Sequence, residues 1–169
     1  MPMFTPKTNN FLDQELWNRY QDNLSQNRPH WRYLLVAVSP DNSKADLIHA
    51  EPCGRPVQES LEDLYSRLPD QEVCWIVFNL PYLVSGGGKR NKNLFISWIP
   101  DTLHRPRQKE VVEIKMSSVL QGGRIKSSFN DVTHSLRAES PDELSLRNMI
   151  DVASRFERET VDIPSSLVL

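Results

Sequence analysis

The sequence predicts a single mixed α/β domain, with a central mixed sheet of about five or six strands flanked by helices on both faces. Two observations predict it. Segments with apolar residues every three or four positions alternate with short runs of β-branched and aromatic residues, which are the helix and strand signatures. The chain of 169 residues, 38% of them hydrophobic, is also the right size to bury one substantial core. Twenty Lys and Arg against 22 Asp and Glu leave a net charge of -2, so no overall basic field exists to hold nucleic acid, and none is expected as a partner. Cys53 and Cys74 lack metal-type spacing, and neither a signal peptide nor a long apolar run is present. A reduced, cytoplasmic protein that acts as a monomer is the expectation.

Residues 1–10 are polar, contain Pro2 and Pro6, and read as a mobile arm. The spacing of Leu12, Leu16, Tyr20 and Leu24 predicts a helix over about residues 11 to 26, capped by Asn10 and stopped before Pro29. Trp31 to Val38 is rich in β-formers, and the turn Ser39-Pro40-Asp41-Asn42 leads to a second strand near Ala45 to His49. Val57, Leu61, Leu64 and Leu68 follow helical spacing until Pro69, whose fixed φ and missing N–H end a helix. Val73 to Phe78 is the near-continuous apolar run of a central strand, with Cys74 in the core.

Leu80 to Gly88 contains Pro81 and a Gly86-Gly87-Gly88 triplet and is expected to be a loop with a basic end, since Pro has no ladder donor. Leu94 to Ile99 is the next strand. Val111, Val112, Ile114 and Met116 suggest another after the connection from Asp101 to Lys109. A late helix capped by Ser117 or Ser118 would carry Val119, Gly122, Ile125, Phe129 and Val132, weakened by Gly122-Gly123 at roughly 1 kcal/mol each. His134 to Ala138 reads as a short edge strand, and Ser140-Pro141-Asp142-Glu143 opens a last helix bearing Leu146, Ile150 and Ala153. The domain therefore spans 11–157 and a tail 158–169, with Trp31, Trp75 and Trp98 expected inside.

Several phrases together resemble a known family. They are Leu68-Pro69-Asp70 leading into the strand that closes at Tyr82, Leu94 to Thr102 ending in Trp-x-Pro-Asp-Thr, His134-Ser135-Leu136-Arg137-Ala138, and the Pro-Asp-Glu-Leu opening of the last helix. In this order they are similar to the actin-depolymerising factor homology domain of the ADF/cofilin type, over roughly residues 31 to 157. The resemblance implies a single-domain fold of that family and an actin-binding protein that binds filaments and promotes their severing or disassembly, in the cytoplasm and on the cytoskeleton. The longer connection and helix are also similar to coactosin, which implies as the alternative a filament-side binder without severing or strong monomer binding, or an adaptor on an actin-related complex.

The resemblance implies two binding faces. Lys89, Arg90 and Lys92 on the strand-to-strand hairpin, with Arg147 in the last helix, match the filament-side cations. Arg107 and Lys109 before the long helix, and Arg124 and Lys126 on it, match the face that enters the apolar cleft of an actin subunit. Actin is acidic, so cations at these points can steer association and form charge-assisted hydrogen bonds. Phosphoinositide headgroups could meet the same cations. Each group has a plainer competitor: a charged hairpin tip also protects a sheet edge, and Arg124 and Lys126 can be a solvated helix face.

This sequence departs from the family at two places. Lys109 is followed by Glu110 rather than Met, and no serine precedes Ser25, where the family carries a regulatory one. The four histidines are scattered, Gly86-Gly87-Gly88-Lys89 lacks a phosphate-loop frame, and no nucleophile elbow occurs. No enzyme activity, cofactor or metal is expected.

Overall fold

The computed structural model describes residues 11–24, 29–84, 88–103, 108–129, 131–155 and 161–162. Residues 1–10, and with them the expected arm and the Asn10 cap, lie outside the described residues, as does nearly all of the tail. The order is α1 (Gln14–Leu24), β1 (Trp31–Val38), β2 (Ala45–Pro52), α2 (Val57–Arg67), β3 (Cys74–Val84), β4 (Lys89–Trp98), α3 (Gln108–Ser127), β5 (Val132–Ala138), a 3-10 turn (Pro141–Leu144), α4 (Leu146–Ser154) and β6 (Val161–Asp162). The six-stranded sheet runs β2-β1-β3-β4-β5, with β6 pairing β3 off that path. β4 and β5 are parallel and the other pairs antiparallel. A parallel pair needs a crossover connection, and α3 supplies it.

Strand alternation sorts the core into two halves. Tyr33, Leu35, Ile76, Phe78, Leu94 and Ile96 face α2 and α4, and Leu34, Val36, Trp75, Val77 and Phe95 face α1 and the end of α3. The expected helices on both faces are therefore present. Val57, Leu61 and Leu64 of α2 are fully buried, which contributes roughly 1.5–3 kcal/mol each. Trp31, Trp75 and Trp98 are at most 4% exposed. Burial also pushes the Cys74 thiol up to about 12, as its place in the core requires.

Two of the phrases that carried the resemblance turn out to touch. Trp98 donates from Nε1 to the Pro69 carbonyl at 2.8 Å, and Thr102 donates from Oγ1 to the Asp70 carbonyl at 2.8 Å. The corner after β4 thus grips the hinge between α2 and β3.

The structure corrects several expectations. Helix α1 starts at Gln14, with the Asp13 carboxylate accepting the Glu15 N–H at 3.2 Å. Leu12 instead forms a parallel bridge to Ala45. Strand β3 continues through Pro81, which pairs with Asn91 of β4. That is allowed because β1 covers β3 only from Trp75 to Phe78, so Pro81 falls where β1 has ended and its absent N–H breaks no β1–β3 ladder.

Val111 to Met116 is not a strand but the first half of α3, and the helix does not start late at Ser117. It ends at Ser127, so Val132 belongs to β5. The last helix does not open at Ser140 either. A 3-10 turn takes Pro141–Leu144, and α4 then begins with Ser145 accepting the Asn148 N–H at 3.2 Å.

Candidate functional site

Helix α3 has two apolar faces. Ile125 is fully buried toward the sheet, and Gly122 lies so close to it that a Cβ there would stand 2.8 Å from Trp75 Nε1. On the other side Val112, Met116, Val119 and Leu120 are 46%, 66%, 62% and 72% exposed. Their spacing of four, three and one places them along one stripe, one turn after another. Folding leaves this row in water, and contiguous exposed apolar surface on a helix marks a contact for another molecule. Nearer the sheet, an open groove of about 540 Å³ runs beside the first turns of α3, lined by Val38, Val73, Trp75, Glu110, Glu113 and Ile114 among others.

The cations expected around this helix behave differently from one another. Lys109 is exposed in the first turn. Arg107 lies outside the described residues. The Arg124 guanidinium sits 3.8 Å from the centroid of the Phe11 ring, a cation–π contact that fastens the start of the described chain to α3. Lys126 donates to Ser135 Oγ at 2.5 Å, joining α3 to β5. Both have structural work inside the fold while flanking the apolar row.

The second surface is the β3–β4 hairpin. Lys89 and Arg90 are exposed at the start of β4, opposite Leu83 and Tyr82. Lys92, two residues on, shares a strand face with Arg90 but is half-buried. Its Nζ donates to the Ala153 carbonyl at 2.7 Å and stands 5.6 Å from the Tyr82 ring centroid. Ala153 is in the last turn of α4, where carbonyls lack intrahelical partners and the helix dipole favours a cation.

The same contact brings Arg155, exposed at the C-cap of α4, to the hairpin side. Arg147 is exposed in the first turn of that helix, about 12 Å further along its axis at 1.5 Å per residue. The Lys92 bond thus sets the C-terminal end of α4 beside β4 and leaves Arg147 at the other end of that helix. Arg155 escaped sequence reasoning because its position depends on where α4 stops. Val112 and Met116 escaped it because β-branched neighbours gave their segment a strand-like look, although their spacing of four is helical.

Comparison with known proteins shows the family of the chain. A family model described as cofilin/tropomyosin-type actin-binding protein matches residues 10–154. The chain is a member of that family. An actin-depolymerizing factor 8 from Arabidopsis thaliana is 29% identical over 116 residues, covering 69% of this chain and 75% of its own. An actin-depolymerizing factor 3 from the same plant is 30% identical over 123 residues, covering 73% and 80%.

Among solved structures, a Streptomyces griseoflavus cofilin superposes with a TM-score of 0.67 at 22% identity, covering 85% of this chain and 96% of that one. The human coactosin-like protein gives 0.61 at 10% identity, over 86% and 88%. Cofilin and coactosin neighbours thus share the fold alike, which is the ambiguity the sequence already carried. The cofilin-type family consists of actin-binding proteins rather than enzymes, so actin is the partner class for this domain. Among the described residues no helix is long and apolar enough to cross a membrane.

Proposed function

We propose that this chain binds actin filaments through both surfaces and promotes their severing or disassembly. The observation that supports this reading most is the exposed row Val112, Met116, Val119 and Leu120 on α3. An apolar stripe on a rigid helix suits an apolar cleft between actin subdomains, with Lys109 at its start to meet acidic rim groups. The exposed Lys89 and Arg90, with Arg155 beside them, would hold a neighbouring subunit of the filament. A protein that bridges two subunits and prefers one filament twist shifts the filament toward that twist in proportion to its differential affinity. Severing follows when the favoured state is mechanically weaker.

The alternative is filament-side decoration of the coactosin type, or an adaptor on an actin-related complex, which would use the hairpin and leave the α3 row without a partner. Binding of the hairpin cations to a phosphoinositide headgroup belongs to the same proposal. It predicts that actin-free protein associates with phosphoinositide vesicles and loses that association on Lys89→Glu with Arg90→Glu; vesicles without effect would remove it. The decisive experiment pairs filament co-sedimentation with a monomer-binding assay. Remodelling requires both signals, and pelleting without monomer binding would select decoration.

A further inference from the structure

On the face of the sheet opposite α3, three metal-binding side chains meet beside the edge strand β2. His49 and Glu51 stand two residues apart on β2 and so point the same way, and Asp63 reaches them from α2. One ligand atom from each residue lies within 4.8 Å of the other two, and His49 Nε2 is 2.8 Å from Glu51 Oε2. We propose that His49, Glu51 and Asp63 form a binding site for a divalent transition-metal ion of the zinc type. An imidazole with two carboxylates suits zinc better than magnesium or calcium, which prefer all-oxygen shells. Ligand atoms about 2.0–2.2 Å from a tetrahedral zinc stand roughly 3.4 Å apart, so His49 and Glu51, at 2.8 Å, would part slightly and the wider separations, up to 4.8 Å, would close.

The surroundings are organised as a metal site needs. Tyr33 donates from Oη to Asp63 Oδ2 at 2.5 Å, and Arg67 donates from Nε to the same oxygen at 3.0 Å. The Tyr33 and His49 rings are 5.8 Å apart between centroids, which fixes the imidazole plane. Such outer partners orient ligands in known metal sites.

The buried member is the telling one. The Glu51 side chain is 5% exposed, yet its close partner is a histidine, while the guanidinium of Arg55 is 3.9 Å away and 55% exposed. Arg67 is likewise 41% exposed. Arg55 can offset the Glu51 carboxylate in the metal-free protein and turn to water when a cation enters. The fourth position of the shell opens outward past His49, whose side chain is 26% exposed.

The test titrates the metal-free full-length chain with Zn2+ by calorimetry, and with Co2+ by its visible absorption, which reports tetrahedral coordination. The wild type should bind one ion and show the band. His49→Ala and Asp63→Asn should each weaken binding at least tenfold and lose the band, while circular dichroism stays native. Cys53→Ser should change nothing, and Arg55→Ala should bind Zn2+ as well as or better than the wild type, because a competing cation has gone. Absence of binding by the wild type, or binding that survives both His49→Ala and Asp63→Asn, would overturn the assignment. So would a loss of Zn2+ affinity in Arg55→Ala, which would mark the cluster as an ion-pair network only.

Discussion

A methyl group added at Gly122 would meet Trp75 Nε1 at 2.8 Å, whereas one added at Gly123 would meet nothing within 4 Å. The two neighbours should therefore respond with opposite signs to the same substitution. Gly123→Ala gains helix propensity and should stabilise the fold by about 0.5–1 kcal/mol. Gly122→Ala gains the same propensity but forces helix and sheet apart, and should destabilise by about 1–3 kcal/mol. Urea unfolding of the two variants decides the matter, and equal shifts would refute the close packing of α3 on Trp75.

Lys92 and Arg90 form a second contrast. Lys92→Ala removes the donor that binds the last turn of α4 and should cost about 1–2 kcal/mol. Arg90 is exposed, so Arg90→Ala should change stability by less than about 0.5 kcal/mol. Loss of actin binding in Lys92 variants must accordingly be read beside their unfolding curves.

At the scale of elements, α2 is tied to the lead-in of α4 by Tyr65, whose hydroxyl donates to the Leu144 carbonyl at 2.5 Å. Burial first, and then the nearby Asp142 and Glu62 carboxylates, push the Tyr65 phenol up to about 12. In the unfolded chain it ionises near 10. A raised folded value means its contribution is complete below about pH 10 and fades as pH climbs toward about 12. Tyr65→Phe should flatten the fall of stability over that interval, while Tyr33 and Cys74, also raised by burial, preserve part of it. An unchanged slope in alkaline unfolding experiments would contradict the link between these helices.

Helix α3 shows why some elements were readable and others not. Helices α1 and α2 carry one apolar stripe each, so their spacing shows plainly in the sequence. Helix α3 carries Ser118, Gly122 and Ile125 toward the sheet and Val112, Met116, Val119 and Leu120 toward water. Two apolar faces blur the period, and the run Val111-Val112 then looks like a strand. The exposed apolar face is what hid the helix. The full length of β3 is hidden for a different reason: whether Pro81 is tolerated depends on where β1 ends, which is tertiary information.

Across the whole molecule, the sheet gives the two surfaces a fixed relation. The apolar row lies on the crossover helix, and the exposed cations Lys89 and Arg90 lie at the start of β4, one of the two strands which that helix connects. The mixed fold and the family were legible because the phrases around Pro69, Trp98 and the Pro-Asp-Glu-Leu turn encode local geometry. Of the candidate site, Lys89, Arg90 and Lys109 were legible and stand exposed as expected. The internal contacts of Lys92, Arg124 and Lys126 were not, because a cation's partner is chosen by distant segments. Net charge contributes little here, since the whole chain is near neutral at -2 and any attraction to actin must come from these local groups.

In the function proposed above, α3 is the principal actin contact and the hairpin a second, filament-specific one. Met116→Asp with Leu120→Asp places charges where the native side chains are already in water, so it should leave the unfolding curve within about 0.5 kcal/mol of wild type. Measured by filament co-sedimentation and monomer binding together, that variant should lose both signals, while Lys89→Glu with Arg90→Glu should lose pelleting and keep monomer binding. A folded Met116→Asp, Leu120→Asp protein that still binds monomer and filament as the wild type does would contradict the account.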